Sequence, residues 1–177
     1  MLKKARMDLR RYASAKKAKD LQWFFKTGQG EYAEGDVFIG VVVPSIRKVA
    51  RQFDSLSLKD VFQLVKSKIH EERLLGLLIL VIQFAQGDAS LQRQIFRGYL
   101  KHTSYINNWD LVDLSAPHIV GAYLKDKGRE ILYDLARSKL LWERRIAVLA
   151  TFAFIRDGDQ TDILRISERL LLDNHDL

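Results

Sequence analysis

Two stretches decide the fold: Glu71-Glu72-Arg73-Leu74-Leu75-Gly76-Leu77-Leu78 and Glu143-Arg144-Arg145-Ile146-Ala147-Val148-Leu149-Ala150. They align without a gap, the first starting at residue 71 and the second at 143. Midway between them lies Asn107-Asn108-Trp109-Asp110-Leu111-Val112-Asp113-Leu114. The spacing reads as two steps of roughly 36 residues, the length of a helical-pair repeat. In this register Arg73, Trp109 and Arg145 are equivalent positions. A helix pair cannot bury its apolar face alone, so stacked pairs share one core, and equivalent side chains recur along one surface. The reading is therefore all-α: a HEAT-like α-α superhelix, one domain over residues 1–177, with a concave basic groove.

Outward from the repeat, helical spacing continues. Only two prolines and ten glycines interrupt 177 residues, which favours helices over a sandwich or barrel. Leu2–Ala18 and Leu21–Lys26 read as two basic helices ending at Gly28-Gln29-Gly30. The run Val37–Val43 has a strand's composition but no partner pattern, so it is assigned to a buried connector or short helical turn. Pro44 suits the first turn of a helix running to Phe53. Ser57 with Asp60 forms an N-terminal cap signature, and Asp88, Ser138 and Asp159 mark later starts.

Composition narrows the chemistry. With no cysteine, disulfides, thiolate metal sites and a cysteine nucleophile are excluded. The histidines at 70, 102, 118 and 175 have no metal-ligand spacing. Residues 1–26 carry nine Lys/Arg against Asp8 and Asp20, which accounts for the whole net charge of +7. A basic end of this kind suits a polyanion, although a solvated helix face has the same composition. No apolar stretch follows it as in a signal peptide, and Leu74–Phe84 is too short to span a bilayer. A soluble, cytoplasmic protein is expected.

Trp109 and Asp113 are four residues apart and share a helix face, whereas Asp110 lies about 100° round and faces elsewhere. Pro117 removes the N–H that the Asp113 carbonyl would receive, so a bend or helix end is expected there. An aromatic plane, a carboxylate and guanidiniums on one face suit a cationic base beside a phosphate backbone. The alternative is a core tryptophan with a capping or salt-bridged aspartate. Arg145 shares the Trp109 register and would otherwise pair with Glu143 or Asp113. Trp142 is expected to pack between repeats.

The chain resembles the AlkD-like DNA alkylation repair enzymes along essentially its whole length. The resemblance is carried by Trp23–Tyr32, Phe38–Pro44, Arg47, Glu72–Leu75, Asn107–Asp113 and Trp142–Arg145, with Trp-Asp-x-Val-Asp the most specific. It implies a HEAT-like-repeat glycosylase that hydrolyses the N-glycosidic bond of positively charged N3- and N7-alkylpurines in double-stranded DNA. By resemblance, Asp113 is the catalytic carboxylate, Trp109 an active-site aromatic, and Arg145 the arginine that holds the backbone near the lesion. Arg47 and Arg73 are assigned to phosphates beside it. No metal or cofactor is implied, and a monomer suffices. The family carries a further tryptophan in helices that follow a segment like Asp173–Leu177, so its last helices are expected to be missing. The competing reading is a non-catalytic helical-repeat module that binds nucleic acid or protein.

Overall fold

The computed structural model describes residues 1–177 and is helical throughout, without a strand. In chain order the helices are α1 Leu2–Arg10, α2 Ala15–Phe24, α3 Val43–Gln52, α4 Leu58–Val65, α5 His70–Gln86, α6 Ala89–Lys101 and α7 Trp109–Asp113. A π-helical turn, Pro117–Gly121, leads into α8 Ala122–Leu124. Then follow α9 Glu130–Leu135, α10 Leu141–Ala150, α11 Phe152–Ile155 and α12 Thr161–Leu170.

The centre of the molecule is α5, buried from His70 through Leu80 and flanked by α3, α4 and α6. A helix apolar on all sides belongs in such a position. The five-residue α7 and the π-turn after it lie between α5 and α10, touching both. Gly121 makes the second contact possible: a Cβ there would come within 2.2 Å of the Ala150 carbonyl oxygen. The bend foreseen at Pro117 takes the form of this π-turn, because proline offers no N–H to continue α7.

Capping followed the sequence at Ser57 and Asp88, whose side chains accept from Asp60 N–H (3.2 Å) and Leu91 N–H (2.8 Å). The first basic helix is shorter than expected. It ends at Arg10, and α2 restarts at Ala15 because Ser14 accepts from Lys17 N–H while its own N–H donates to Ile39. Val37–Val42 forms the foreseen connector rather than a strand, with one isolated bridge to Ile69. Its polar backbone is satisfied by a side chain: the Glu71 carboxylate accepts from Ile39, Gly40 and Val41 N–H at 3.0, 2.8 and 3.1 Å. Gly40 has φ +81°, and a Cβ there would lie 2.1 Å from the Ser14 carbonyl oxygen, so only glycine fits.

The register of the repeat needs correction. The residues preceding α5, α7 and α10 are Ile69, Asn108 and Leu140, all extended. Counting from these starts, Arg73 matches Arg144 rather than Arg145. The hydrogen bonds agree: Arg73 Nη1 donates to the carbonyls of Ser67 and Lys68, and Arg144 Nη1 to those of Ser138 and Lys139. The equivalent trio is then Leu74, Asp113 and Arg145, and Trp109 matches His70. Few identities fixed the original alignment, and adjacent arginines at 144 and 145 allowed the slip.

Candidate active site

Trp109 opens α7 and Asp113 closes it. An isolated helix of five residues has no stability of its own, so its orientation is set by what surrounds it. Asn108 Oδ1 accepts the Trp109 N–H at 2.8 Å, and Leu111 and Val112 are fully buried. Both functional side chains line one cavity of about 610 Å³, whose other walls include Phe24, Phe25, Pro44, His70 and Asp110.

The Trp109 indole is held on three sides. Phe25 stacks on it at 5.0 Å and 17°, Phe24 meets it edge-on at 5.9 Å, and its Nε1–H donates to the Tyr32 hydroxyl at 3.2 Å. Asp113 is met by Arg145 in a two-pronged pair, Nε to Oδ1 and Nη2 to Oδ2, each 2.8 Å. Such a fork fixes geometry as well as charge. The remaining Arg145 nitrogen donates to the Leu177 carbonyl at 2.8 Å. Asp113 is 30% exposed and Arg145 18%, so the pair borders solvent. Glu143, the other partner considered for Arg145, instead accepts from Thr103 Oγ1. Trp142 is half-buried between segments, edge-on to Tyr32 at 5.9 Å.

The other two arginines part company. Arg47 is exposed on α3. Burial, and then the charges of Arg156 and Arg47, hold His118 below its ordinary value. Arg73 is buried, with Nη2 donating to Asp36 at 2.6 Å and Nη1 to two carbonyls. The expectation that Arg73 contacts phosphate fails, because its guanidinium is committed to the interior.

Beneath Trp109 lies a cluster that spacing alone did not reveal. His70 Nδ1 faces Asp36 Oδ2 and His70 Nε2 faces Asp110 Oδ2, both at 2.8 Å. Asp110, expected to face elsewhere, also lines the cavity, and its carboxylate is engaged by His70. Burial pushes the His70 imidazole down, but the Asp110 charge and hydrogen bond, followed by those of Asp36, raise it above its ordinary value. Burial likewise pushes Asp36 up, and the His70 and Arg73 contacts outweigh it to leave the carboxyl below its usual range. With His70 protonated, Asp36, His70, Arg73 and Asp110 sum to zero charge. The sequence hint for this cluster was the set of charged residues opening the otherwise apolar α5.

A profile of DNA alkylation repair enzymes matches residues 5–177. The chain belongs to this family. A search of curated proteins returns no match. Membership makes the protein an enzyme of DNA alkylation repair, with DNA as its substrate. No group of His, Cys, Asp or Glu in this repair enzyme is arranged to hold a metal ion, and no helix is long and apolar enough to cross a membrane.

Proposed function

We propose that the chain is a DNA glycosylase hydrolysing the N-glycosidic bond of cationic N3- and N7-alkylpurines in duplex DNA. The observation that carries this reading is one cavity lined by both Trp109 and Asp113, with Arg145 forked onto the carboxylate. An alkylated purine already bears positive charge and leaves without protonation. As the bond breaks, charge develops on the deoxyribose as an oxocarbenium ion. Asp113 would stabilise that charge and orient the attacking water. Trp109 offers a π-face to the cationic base or sugar, a contact of about 0.5–2 kcal/mol.

Arg145 has two anions within its chemistry. In the free protein it neutralises Asp113; a backbone phosphate beside the lesion would compete for the same fork. Transfer of the guanidinium to phosphate would leave Asp113 charged and unpaired as the sugar becomes cationic. Arg47, with Arg156 and the exposed lysines of α1 and α2, would add phosphate contacts that position DNA without reading sequence. The helical units would form a HEAT-like superhelix with these groups along its concave side.

One observation favours the competing reading, a DNA-binding module without catalysis: both Asp113 oxygens are occupied. Release of free 7-methylguanine from methylated duplex separates the two. The wild type should release it, and Asp113→Asn should bind DNA at least as tightly but excise about 100- to 1,000-fold more slowly, the usual loss for one electrostatic contact to the transition state. Equal release by both proteins would remove Asp113 from the mechanism.

A further inference from the structure

His70 forms part of the cavity wall, and one of the contacts that orient α7 is made by its ring. Its imidazole is 1% exposed. Each ring nitrogen faces a carboxylate oxygen at 2.8 Å, and ionised carboxylates only accept. A neutral imidazole has a single N–H and would leave one of these contacts as two facing acceptors. The imidazolium, with two N–H groups, satisfies both.

The two carboxylates come from different segments. Asp36 belongs to the connector between α2 and α3, where Arg73 also holds it at 2.6 Å. Asp110 is the second residue of α7, and its other oxygen accepts the Leu111 N–H at 2.8 Å. His70 thereby ties α7 to the central helix and to the connector at one point. A second path runs through rings: Phe38 stacks on His70 at 4.3 Å, Phe25 on Phe38 at 4.9 Å, and Trp109 on Phe25 at 5.0 Å. The ring path ends on Trp109 and the ion-pair path on the next residue, Asp110, so the two close a loop of contacts through α7.

We propose that His70 is a positioning residue for the Trp109/Asp113 site, its imidazolium bridging Asp36 and Asp110 so that the opening turn of α7, which carries Trp109, is held in place. The inference rests on the glycosylase reading for its catalytic consequence and on the geometry of α7 for its structural one. The groups facing His70 are Asp36 from the connector, Asp110 from α7, Arg73 one turn along α5 through Asp36, and the Phe25 and Phe38 rings. Loss of its proton removes one of the two bridges and leaves two carboxylates in a site with one fewer cation. The short α7 then has less to fix its tilt.

The test is single-turnover excision of 3-methyladenine from duplex DNA between about pH 6 and about pH 9, the range that brackets a histidine titration. Duplex affinity is measured alongside, and a ¹H–¹⁵N spectrum is taken of each free protein. Wild-type excision should fall as pH rises through the His70 value, which its two carboxylates hold above the ordinary 6.5. His70→Gln should excise about 100-fold more slowly, the loss typical of a small misplacement of reacting groups. It should also lack that alkaline fall and keep its affinity for undamaged duplex. Asp110→Asn should shift the fall to lower pH, because it removes the charge that most favours the imidazolium. The Trp109 indole N–H, donated to Tyr32, should move in both spectra. A purely structural role would lower the yield of folded protein and leave the pH profile of the folded fraction unchanged. Wild-type excision by His70→Gln, or an unmoved indole resonance, overturns the proposal. Should His70→Gln not fold, the displaced or undisplaced pH profile of Asp110→Asn decides. Should the wild type release no alkylpurine, the glycosylase reading fails, and the indole resonance across the same pH range decides the positioning role alone.

Discussion

Arg73 and Arg144 do the same local job in two units of the chain and live in different media. Each lies in the first turn of its helix after a Ser-Lys-containing turn, reaches back with Nη1 to the carbonyls of that turn, and pairs with an aspartate from a distant segment, Arg73 through Nη2 alone and Arg144 through Nε and Nη2. Arg73 takes Asp36, and the two side chains are 5% and 3% exposed. Arg144 takes Asp173, and both side chains are 18% exposed. The first pair carries His70 and, through it, α7; the second fastens the C-terminal segment to α10. One sequence device thus serves as a core element on one side of the site and as a peripheral clasp on the other. Dielectric distinguishes them more than the one hydrogen bond by which their aspartate pairs differ.

The largest effect that could break this comparison is on stability. Arg73→Met keeps most of the stem's volume and leaves Asp36 buried beside His70 with one cation where it had two. Removing one partner of a buried ion pair costs about 3–5 kcal/mol, chiefly because the survivor is stranded. Urea unfolding at neutral pH measures it. A loss near that of an exposed pair would show that water reaches Asp36, and the distinction between the two arginines would fall.

A smaller effect sharpens the comparison through pH. His70 has its folded value raised, so its contribution is complete below about 6.5, its ordinary value, and is lost as pH rises through the raised one. Asp36 has its folded value lowered, so its contribution is complete above 3.8 and is lost as pH falls through the lowered one. The Arg73 side of the molecule therefore has an acid limb and an alkaline limb. The Arg144 side has an acid limb as well, because the Arg144 hydrogen bond, with a further one from the His175 backbone N–H, holds Asp173 low. In unfolding free energy measured against pH, His70→Gln should erase the alkaline limb and keep the acid one. An alkaline limb that survives in His70→Gln would assign it to another group.

The contrast also marks what was legible in the sequence. That Trp109 and Asp113 border one cavity was readable because four-residue spacing puts two side chains on one helix face, and the nearness of Arg145 because it lies one unit on. The strandless connector was readable from its lack of a partner. Arg73 was misassigned: an arginine at a repeat position reads the same whether it points to solvent or to a buried aspartate, and Asp36 lies in a turn with no periodicity. The Asp36–His70–Asp110 bridge was unreadable for the same reason, since it joins three segments by contacts that leave no local pattern. The two-arginine run at 144 and 145 hid the register, which only the backbone starts of α5 and α10 resolved.

The smallest effect concerns the peripheral clasp. Arg144→Met removes the fork to Asp173 and two donations to the Ser138 and Lys139 carbonyls, at 3.1 and 3.2 Å. Water can replace each of these at a site that borders solvent, so the loss should be about 1 kcal/mol or less, in the range of exposed pairs. The decisive measurement is its dependence on salt. At 1 M salt the screening length shrinks to about 3 Å, and an exposed pair loses most of its attraction. The difference between wild type and Arg144→Met in urea unfolding should therefore shrink markedly from low to high salt. The difference between wild type and Arg73→Met should hardly change, because ions do not enter the interior. If both differences shrink together, Asp36 and Asp173 experience the same solvent, and Arg73 is a clasp like its counterpart. If neither shrinks, the C-terminal segment seals Arg144 more tightly than its exposure implies. Arg145, the next residue and hydrogen-bonded to Leu177, would then be held just as firmly against Asp113 and would be slower to exchange that carboxylate for a phosphate.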